Sequence, residues 1–301
     1  MPSLFSRTRS GPAYPSHTKE RALPFLLVAP TVAVLLALSI YPLIYAVKVS
    51  LQTEAGTAWT LQNFARLLRD DFFQAALAHT LVYAIIALTV EFLLGLGLAV
   101  LLNREMRGRS FFRAALLVPM MLPPVVVGVV WRLMLNPTFG AVNGTLQGFG
   151  ANTEALTWTA HPTLAFASVI LVDIWQWTPF MFLILLAGLQ AIPQEPYEAA
   201  LIDGSSPWQT FRHVTLPLLK PAILIALLLR TMDLLRVFDQ IFILTEGGPG
   251  SATETISLYI HRTAFRFGDF GYAAAMSFVL LLLTNFISLA YIRLLKGQEA
   301  A

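Results

Sequence analysis

Four ionisable residues stand at three-residue intervals in an otherwise apolar run: Arg230, Asp233, Arg236 and Asp239, with the amide Gln240 beside the last. Residues three apart are neighbours on a helix surface, and here the signs alternate. Charges are costly in hydrocarbon, so such a row faces protein or water. Two chemistries fit it. The groups line a path and hydrogen-bond a hydroxyl-bearing solute or hold a gate shut, or they form an ion-pair ladder with no ligand. Arg230, nearer one end of its run, can also snorkel. Other apolar runs carry Glu91, and Asp173 with Gln176 and Trp177. For Glu91 a bond to a neighbouring helix outweighs solute contact. Trp175 and Trp177 read first as packing, second as platforms for an apolar ring face.

Several chemistries are excluded. The sequence has no cysteine, hence no disulfide, cysteine-ligated metal or thiol nucleophile. Its five histidines are scattered, with no pair at metal-ligand spacing, so no metal site is expected. No G-x-x-x-x-G-K-[ST] phosphate cradle occurs, nor does H-E-x-x-H or G-x-S-x-G. If a nucleotide drives this protein, another subunit binds it.

The elements that position these groups are membrane spans. Of 301 residues 56% are hydrophobic and only 12% charged, and the mean hydropathy is +0.68. A soluble domain carries about 25% charge, so a polytopic membrane protein is expected. Six apolar runs, 23–47, 80–102, 112–135, 163–189, 221–245 and 272–295, can each cross a bilayer as an α-helix. The first is too long for a signal-peptide core and reads as an uncleaved span, behind a polar, disordered leader over 1–21. Pro123-Pro124 and Pro179 should kink or unwind their spans, which places a cavity near the third, fourth and fifth. The net charge of +3 does not indicate nucleic acid, because the basic residues sit at the ends of the runs rather than in one patch. With the amino terminus in the cytosol, twelve Lys and Arg residues fall on cytosolic segments and five on outer ones. That bias places both termini and the 190–220 connection inside. Of the outer connections, 50–79 is amphipathic and expected to lie along the interface. Residues 136–162 read as loop with short helical pieces, and Asn143-Gly144-Thr145 there as a chance glycosylation triplet. The third, 246–271, opens with Gly247-Gly248-Pro249-Gly250.

The longest polar-rich stretch between apolar runs is 194–217. It reads as two short helices. Gly204 stops the first by taking a left-handed C′ position. Ser206 caps the second, with Pro207 at its first position and Pro217 closing it. Trp208, Phe211 and Val214 fall on one face of that second helix. Glu198-Ala199-Ala200, Gly204, Val214 and Leu216-Pro217 then match, in spacing, the EAA loop of ATP-binding-cassette importer permeases, which this stretch resembles. Only Val214 departs, standing for isoleucine. The segment from Val237 to Gly250, with Ala252 to Thr255 and Tyr259, is similar to carbohydrate importer permeases, and the likeness runs from Leu23 to the last span.

The resemblance implies an all-α type I importer permease fold with six transmembrane helices in a bacterial inner membrane. It assigns ATPase docking to Glu198, Ala199, Ala200, Asp203 and Gly204, and it implies four kinds of partner: a second homologous permease, two ATP-binding cassette subunits, an extracytoplasmic sugar-binding protein and the sugar. ATP and magnesium would act on the partner ATPase, and no cofactor is expected on this chain. The expected organisation is a cytosolic leader over 1–21, a first helix with its external segment over 22–79, a permease core over 80–295 and a tail over 296–301. The candidate path residues are Asp233, Arg236, Asp239, Gln240, Asp173, Gln176, Trp177 and Glu91. A rival reading is a self-sufficient, ion-coupled transporter using Glu91, Asp173 or Asp233 as relay groups.

Overall fold

The computed structural model describes residues 17–53, 58–153 and 155–299. Thirteen α-helices follow one another: α1 His17–Ser50, α2 Gln62–Leu67, α3 Asp71–Asn103, α4 Arg109–Met121, α5 Pro124–Met134, α6 Ala141–Gly148, α7 Pro162–Ala191, α8 Glu195–Ile202, α9 Pro207–Thr210, α10 Leu216–Leu234, α11 Asp239–Leu244, α12 Ile256–His261 and α13 Phe270–Glu299. Among the described residues there is no strand, only an isolated bridge between Gln52 and Trp59. Among the described residues five helices are long and apolar enough to cross a membrane, and the count is six if the bent pair α4 and α5 is taken as one span. The leader expected to be disordered lies, up to residue 16, outside the described residues. Residues 17–21 belong to α1, so the first helix starts before its apolar run does.

The centre of the bundle is α3 laid against α7, with α10 across both. Close approach is set by small residues. A Cβ added at Gly95 would stand 2.6 Å from the Met181 Cβ, and one at Gly188 2.5 Å from the Ala222 Cβ. One apolar core joins α3, α7, α5 and α11 through Tyr83, Val127, Val169 and Ile241. Another, of Leu102, Phe182, Leu185 and Leu219, closes the opposite end. The first helix packs on α13, and its apolar side chains from Leu27 onward are largely exposed, as suits a lipid-facing span.

Two of the expected apolar runs are interrupted. The third turns by 94° between Met121 and Pro124, where the two consecutive prolines supply no backbone N–H. The fifth ends at Leu234 and resumes at Asp239, although no proline or glycine marks the place. Pro179, expected to disrupt the fourth span, lies inside an uninterrupted α7.

The connection 50–79 packs on the bundle. Asp70 caps α3, accepting from the Phe72 and Phe73 N–H groups at 2.9 and 3.2 Å, so α3 starts nine residues before the apolar run does. The second Asp70 oxygen accepts from the Tyr259 and Tyr272 hydroxyls at 2.7 and 2.6 Å. Burial alone would raise this carboxyl, but the Tyr272 and Tyr259 hydroxyls and the two N–H groups outweigh it and hold it below the usual range. Burial, and then the bond to Asp70, pushes the Tyr259 hydroxyl up, so it stays a donor. Leu67 and Phe73 are buried in the same corner with Ile256 and Met276. In the 136–162 connection, Asn143 is buried. It donates to the Pro137 carbonyl at 3.1 Å and accepts from Trp158 Nε1 at 2.7 Å, so its amide ties the loop together.

Candidate functional site

The sequence-derived candidates separate into three groups. The first is an ion cluster at the centre of the bundle. Arg230, on α10, donates from Nε to Glu91 Oε2 at 2.7 Å and from Nη2 to Glu91 Oε1 at 2.9 Å. The same Nη2 donates to Asp173 on α7. Glu91, Asp173 and Arg230 are 0%, 1% and 2% exposed. The Trp177 ring covers the guanidinium, its centroid 5.0 Å from Cζ. Arg230 therefore does not snorkel. A planar fork between two carboxylates is better satisfied than one led to a surface, and here it ties three spans at one level. Glu91 serves a neighbouring helix, and both it and Asp173 are engaged by Arg230.

The second group is a buried amide chain. Gln176 Nε2 donates to the Leu122 carbonyl at 2.8 Å, and Gln240 Nε2 donates to Gln176 Oε1. Leu122 is the C-cap of α4, so its carbonyl is one that the proline break leaves without a helical donor. Trp175 packs edge-on to Trp131 at 5.5 Å between centroids.

The third group is exposed. Asp233, Arg236 and Asp239 face outward at the break of the fifth span. The expected ladder is interrupted: Arg230 turns to the core, Asp239 belongs to another helix, and only Asp233 and Arg236 remain paired, at 3.8 Å. The reason is the end of α10 at Leu234, beyond which helical spacing no longer holds. Arg236 also donates from Nε to the Met232 carbonyl at 3.0 Å. Further along the chain α11 is braced by Arg132 on α5, which donates to the Ile243 carbonyl at 3.0 Å.

At the opposite end lies the 194–217 stretch. Gly204 has φ +70°, and the Asp203 N–H reaches the Ala199 carbonyl at 3.0 Å. Ser206 and Gln209 form a reciprocal capping box: the Ser206 N–H donates to Gln209 Oε1 at 2.8 Å and the Gln209 N–H to Ser206 Oγ at 3.4 Å. Ala200 is buried, while Glu198, Ala199 and Asp203 are exposed, and Leu201, Ile202 and Trp208 present 79%, 85% and 67% of their surface. Trp208 stacks on Phe211. Pro217 does not close the second helix. A π-helical turn over Phe211–Thr215 carries it directly into α10. The wider turn leaves room for a proline ring that would crowd the carbonyl four residues earlier. Between this stretch and the end of α3 is a cavity of about 440 Å3, lined by Asn103, Arg104, Tyr197 and Phe211 among others.

Sequence reasoning missed the role of Arg230 as the cluster's centre, and missed the joint role of Asp70, Tyr259 and Tyr272. The available signals were an arginine buried deep in an apolar run and an aspartate just before one.

The described residues thus form a bundle of apolar helices with an internal ion cluster and a rigid polar loop at one end. Residues 91–297 match the family model described as binding-protein-dependent transport system inner membrane component. The chain is 38% identical over 280 residues to the trehalose/maltose transport system permease protein MalF of Thermococcus litoralis, covering 91% of this chain and 94% of that one. It is 36% identical over 298 residues to the trehalose transport system permease protein SugA of Mycobacterium tuberculosis, covering 97% and 92%. Its fold superimposes with a TM-score of 0.83 on a chain of a bacterial ABC transporter involved in import of the acidic polysaccharide alginate. That match is 23% identical and covers 93% and 97% of the two chains. The chain belongs to the family of inner-membrane components of binding-protein-dependent transport systems. It is a transport component and not an enzyme, and it has the type I importer permease fold.

Proposed function

We propose that this chain is one permease of an ATP-driven sugar importer, forming half of the translocation path and coupled to a separate ATPase through the 194–217 loop. The relatives named for trehalose and maltose support a disaccharide-sized substrate class. The carrying observation is mechanical. The exposed surface of Glu198, Ala199, Leu201, Ile202, Asp203 and Trp208 is fixed by a capping box and a left-handed glycine, then joined without a break to α10. Motion imposed on that loop is delivered by one rigid helix to Asp233 in its last turn, with Arg236 and Asp239 just beyond its end. Those three groups line the path, where carboxylate and guanidinium hydrogen bonds suit sugar hydroxyls. Exposed apolar side chains on so short an element fit a groove on a soluble subunit better than water. The loop and both termini face the cytosol, following the distribution of Lys and Arg. The working assembly adds a second homologous permease, two ATP-binding cassette subunits that use ATP and magnesium, and an extracytoplasmic sugar-binding protein.

The test is purification of tagged chain from its own membranes, followed by sugar uptake in proteoliposomes. The expected outcome is ATPase and second permease in stoichiometric yield, with uptake that needs ATP and binding protein. Glu198→Ala and Gly204→Pro should each insert normally and depress uptake. Proline cannot adopt a φ of +70°. Uptake by the chain alone, abolished by a protonophore, would instead establish an ion-coupled carrier.

A further inference from the structure

The third and fifth spans break at one level, and the same side chain touches both breaks. Gln176 sits on the unbroken α7, is 1% exposed, and has both ends of its amide engaged. Its Nε2 satisfies the Leu122 carbonyl, released where α4 gives way to Pro123 and Pro124. Its Oε1 receives Gln240, 3% exposed, in the first turn of α11. The halves beyond the breaks, α5 and α11, pack against each other so closely that a Cβ added at Gly128 would stand 2.9 Å from the Ile243 Cβ. They therefore pack as one pair, which shares an apolar core with α3 and α7 and joins α4 and α10 along the chain at the two breaks. Asp239 lies one residue from Gln240 and Arg236 in the hinge itself, so whatever fixes the first turn of α11 fixes both.

We infer that Gln176 is a positioning residue. It locks the two helix breaks in register and thereby sets where Asp239 and Arg236 stand, without touching the sugar itself. An amide suits the task because it donates at one end and accepts at the other, whereas an ionised carboxylate only accepts and would leave the Leu122 carbonyl unpaired in this dry setting. The inference rests on the importer reading only for its consequence in transport; the geometry it asserts can be measured without any sugar.

The natural chain has no cysteine, so spin labels go only where cysteines are introduced. One pair, Ala114→Cys with Leu133→Cys, spans the third-span break. The other, Leu229→Cys with Phe242→Cys, spans the fifth. In the purified assembly without sugar, each pair should give one narrow distance distribution. Gln176→Leu removes both bonds and should broaden both distributions. Gln240→Leu keeps the bond to Leu122 and should broaden only the fifth-span pair. Gln176→Leu combined with Gln240→Leu should be no broader than Gln176→Leu alone. Should Gln176→Leu fail to accumulate, Gln240→Leu alone still decides, because its asymmetric effect is required. Narrow distributions in both variants, or a change confined to apparent sugar affinity, would overturn the assignment and make Gln176 a sugar contact. If the wild-type assembly shows no ATP-dependent uptake, the importer reading fails while the label distances still judge the lock.

Discussion

Replacing Arg230 with methionine isolates what the central cluster contributes. Methionine keeps the length and apolar volume of the side chain but removes the guanidinium. Glu91, which accepted two bonds at 2.7 and 2.9 Å, and Asp173 are then left at 0% and 1% exposure with no cation between them. Removing one partner of a buried pair costs about 3–5 kcal/mol, because the remaining charge is neither solvated nor paired. Loss of the contact with the Trp177 face is part of that cost, at about 0.5–2 kcal/mol. The internal control is Arg236→Met. Its partner Asp233 lies 3.8 Å away with both side chains about half exposed, and such a pair is worth about 1 kcal/mol at most. Arg230→Lys should fall between, keeping the charge but losing the fork that spans two carboxylates. A variant with Arg230→Met, Glu91→Leu and Asp173→Leu together should recover most of the loss, since replacing a whole buried cluster by apolar groups is near neutral. Unfolding in mixed detergent micelles, followed by the fluorescence of the six tryptophans, gives the free energies. The Arg230→Met deficit should also be insensitive to salt, unlike a surface pair. An Arg230→Met deficit no larger than that of Arg236→Met, or no recovery in the triple variant, would refute the reasoning.

Acid should loosen the corner where Asp70 joins α3 to Tyr259 and Tyr272. A carboxyl held below its ordinary value in the folded state contributes stability above about pH 4, and that contribution disappears as pH falls through the depressed value. Asp70→Asn should be less stable at neutral pH and flatter in its acid titration, read by the midpoint of thermal unfolding between neutrality and pH 3. A titration parallel to wild type would count against this. Gly188→Val should overpack α7 against α10, where Ala222 and Leu219 leave no space, and should lower stability by about 1–3 kcal/mol. The same micelle unfolding measurement checks it, and an unchanged midpoint would mean that the two helices are free to separate.

Much of the bundle is legible because span length is a property of single runs: each apolar stretch declares itself without reference to the others. The turn at Gly204, the cap at Ser206 and the break at Pro123-Pro124 are equally local. The break after Leu234 is not. Leu235, Arg236 and Val237 carry no proline or glycine, and the unwinding is sustained by distant groups, including the Thr255 hydroxyl that donates to the Val237 carbonyl at 3.3 Å. Pairing is likewise invisible to spacing. Arg230 lies 139 residues from Glu91 and 57 from Asp173, so a neighbour three residues away, Asp233, looked the better partner. Pro217 misled for a different reason: a π-turn is a geometric accommodation that no residue type announces. The direction of Asp70 toward two tyrosines almost 200 residues away was hidden by the amphipathic look of its own segment.

The seating of α1 on α13 bears on how the chain matures. Of the described helices α1 is made before α13, so it finds this neighbour only after the intervening spans have been inserted. Until then it waits in lipid, held by its own hydrophobicity, while four other spans are laid down and pack among themselves. Assembly of the outer flank is thus a late, long-range event. A chain that stops short of residue 270 would leave α1 integrated but unmoored, a defect that quality-control proteases would recognise without any fault in the central bundle.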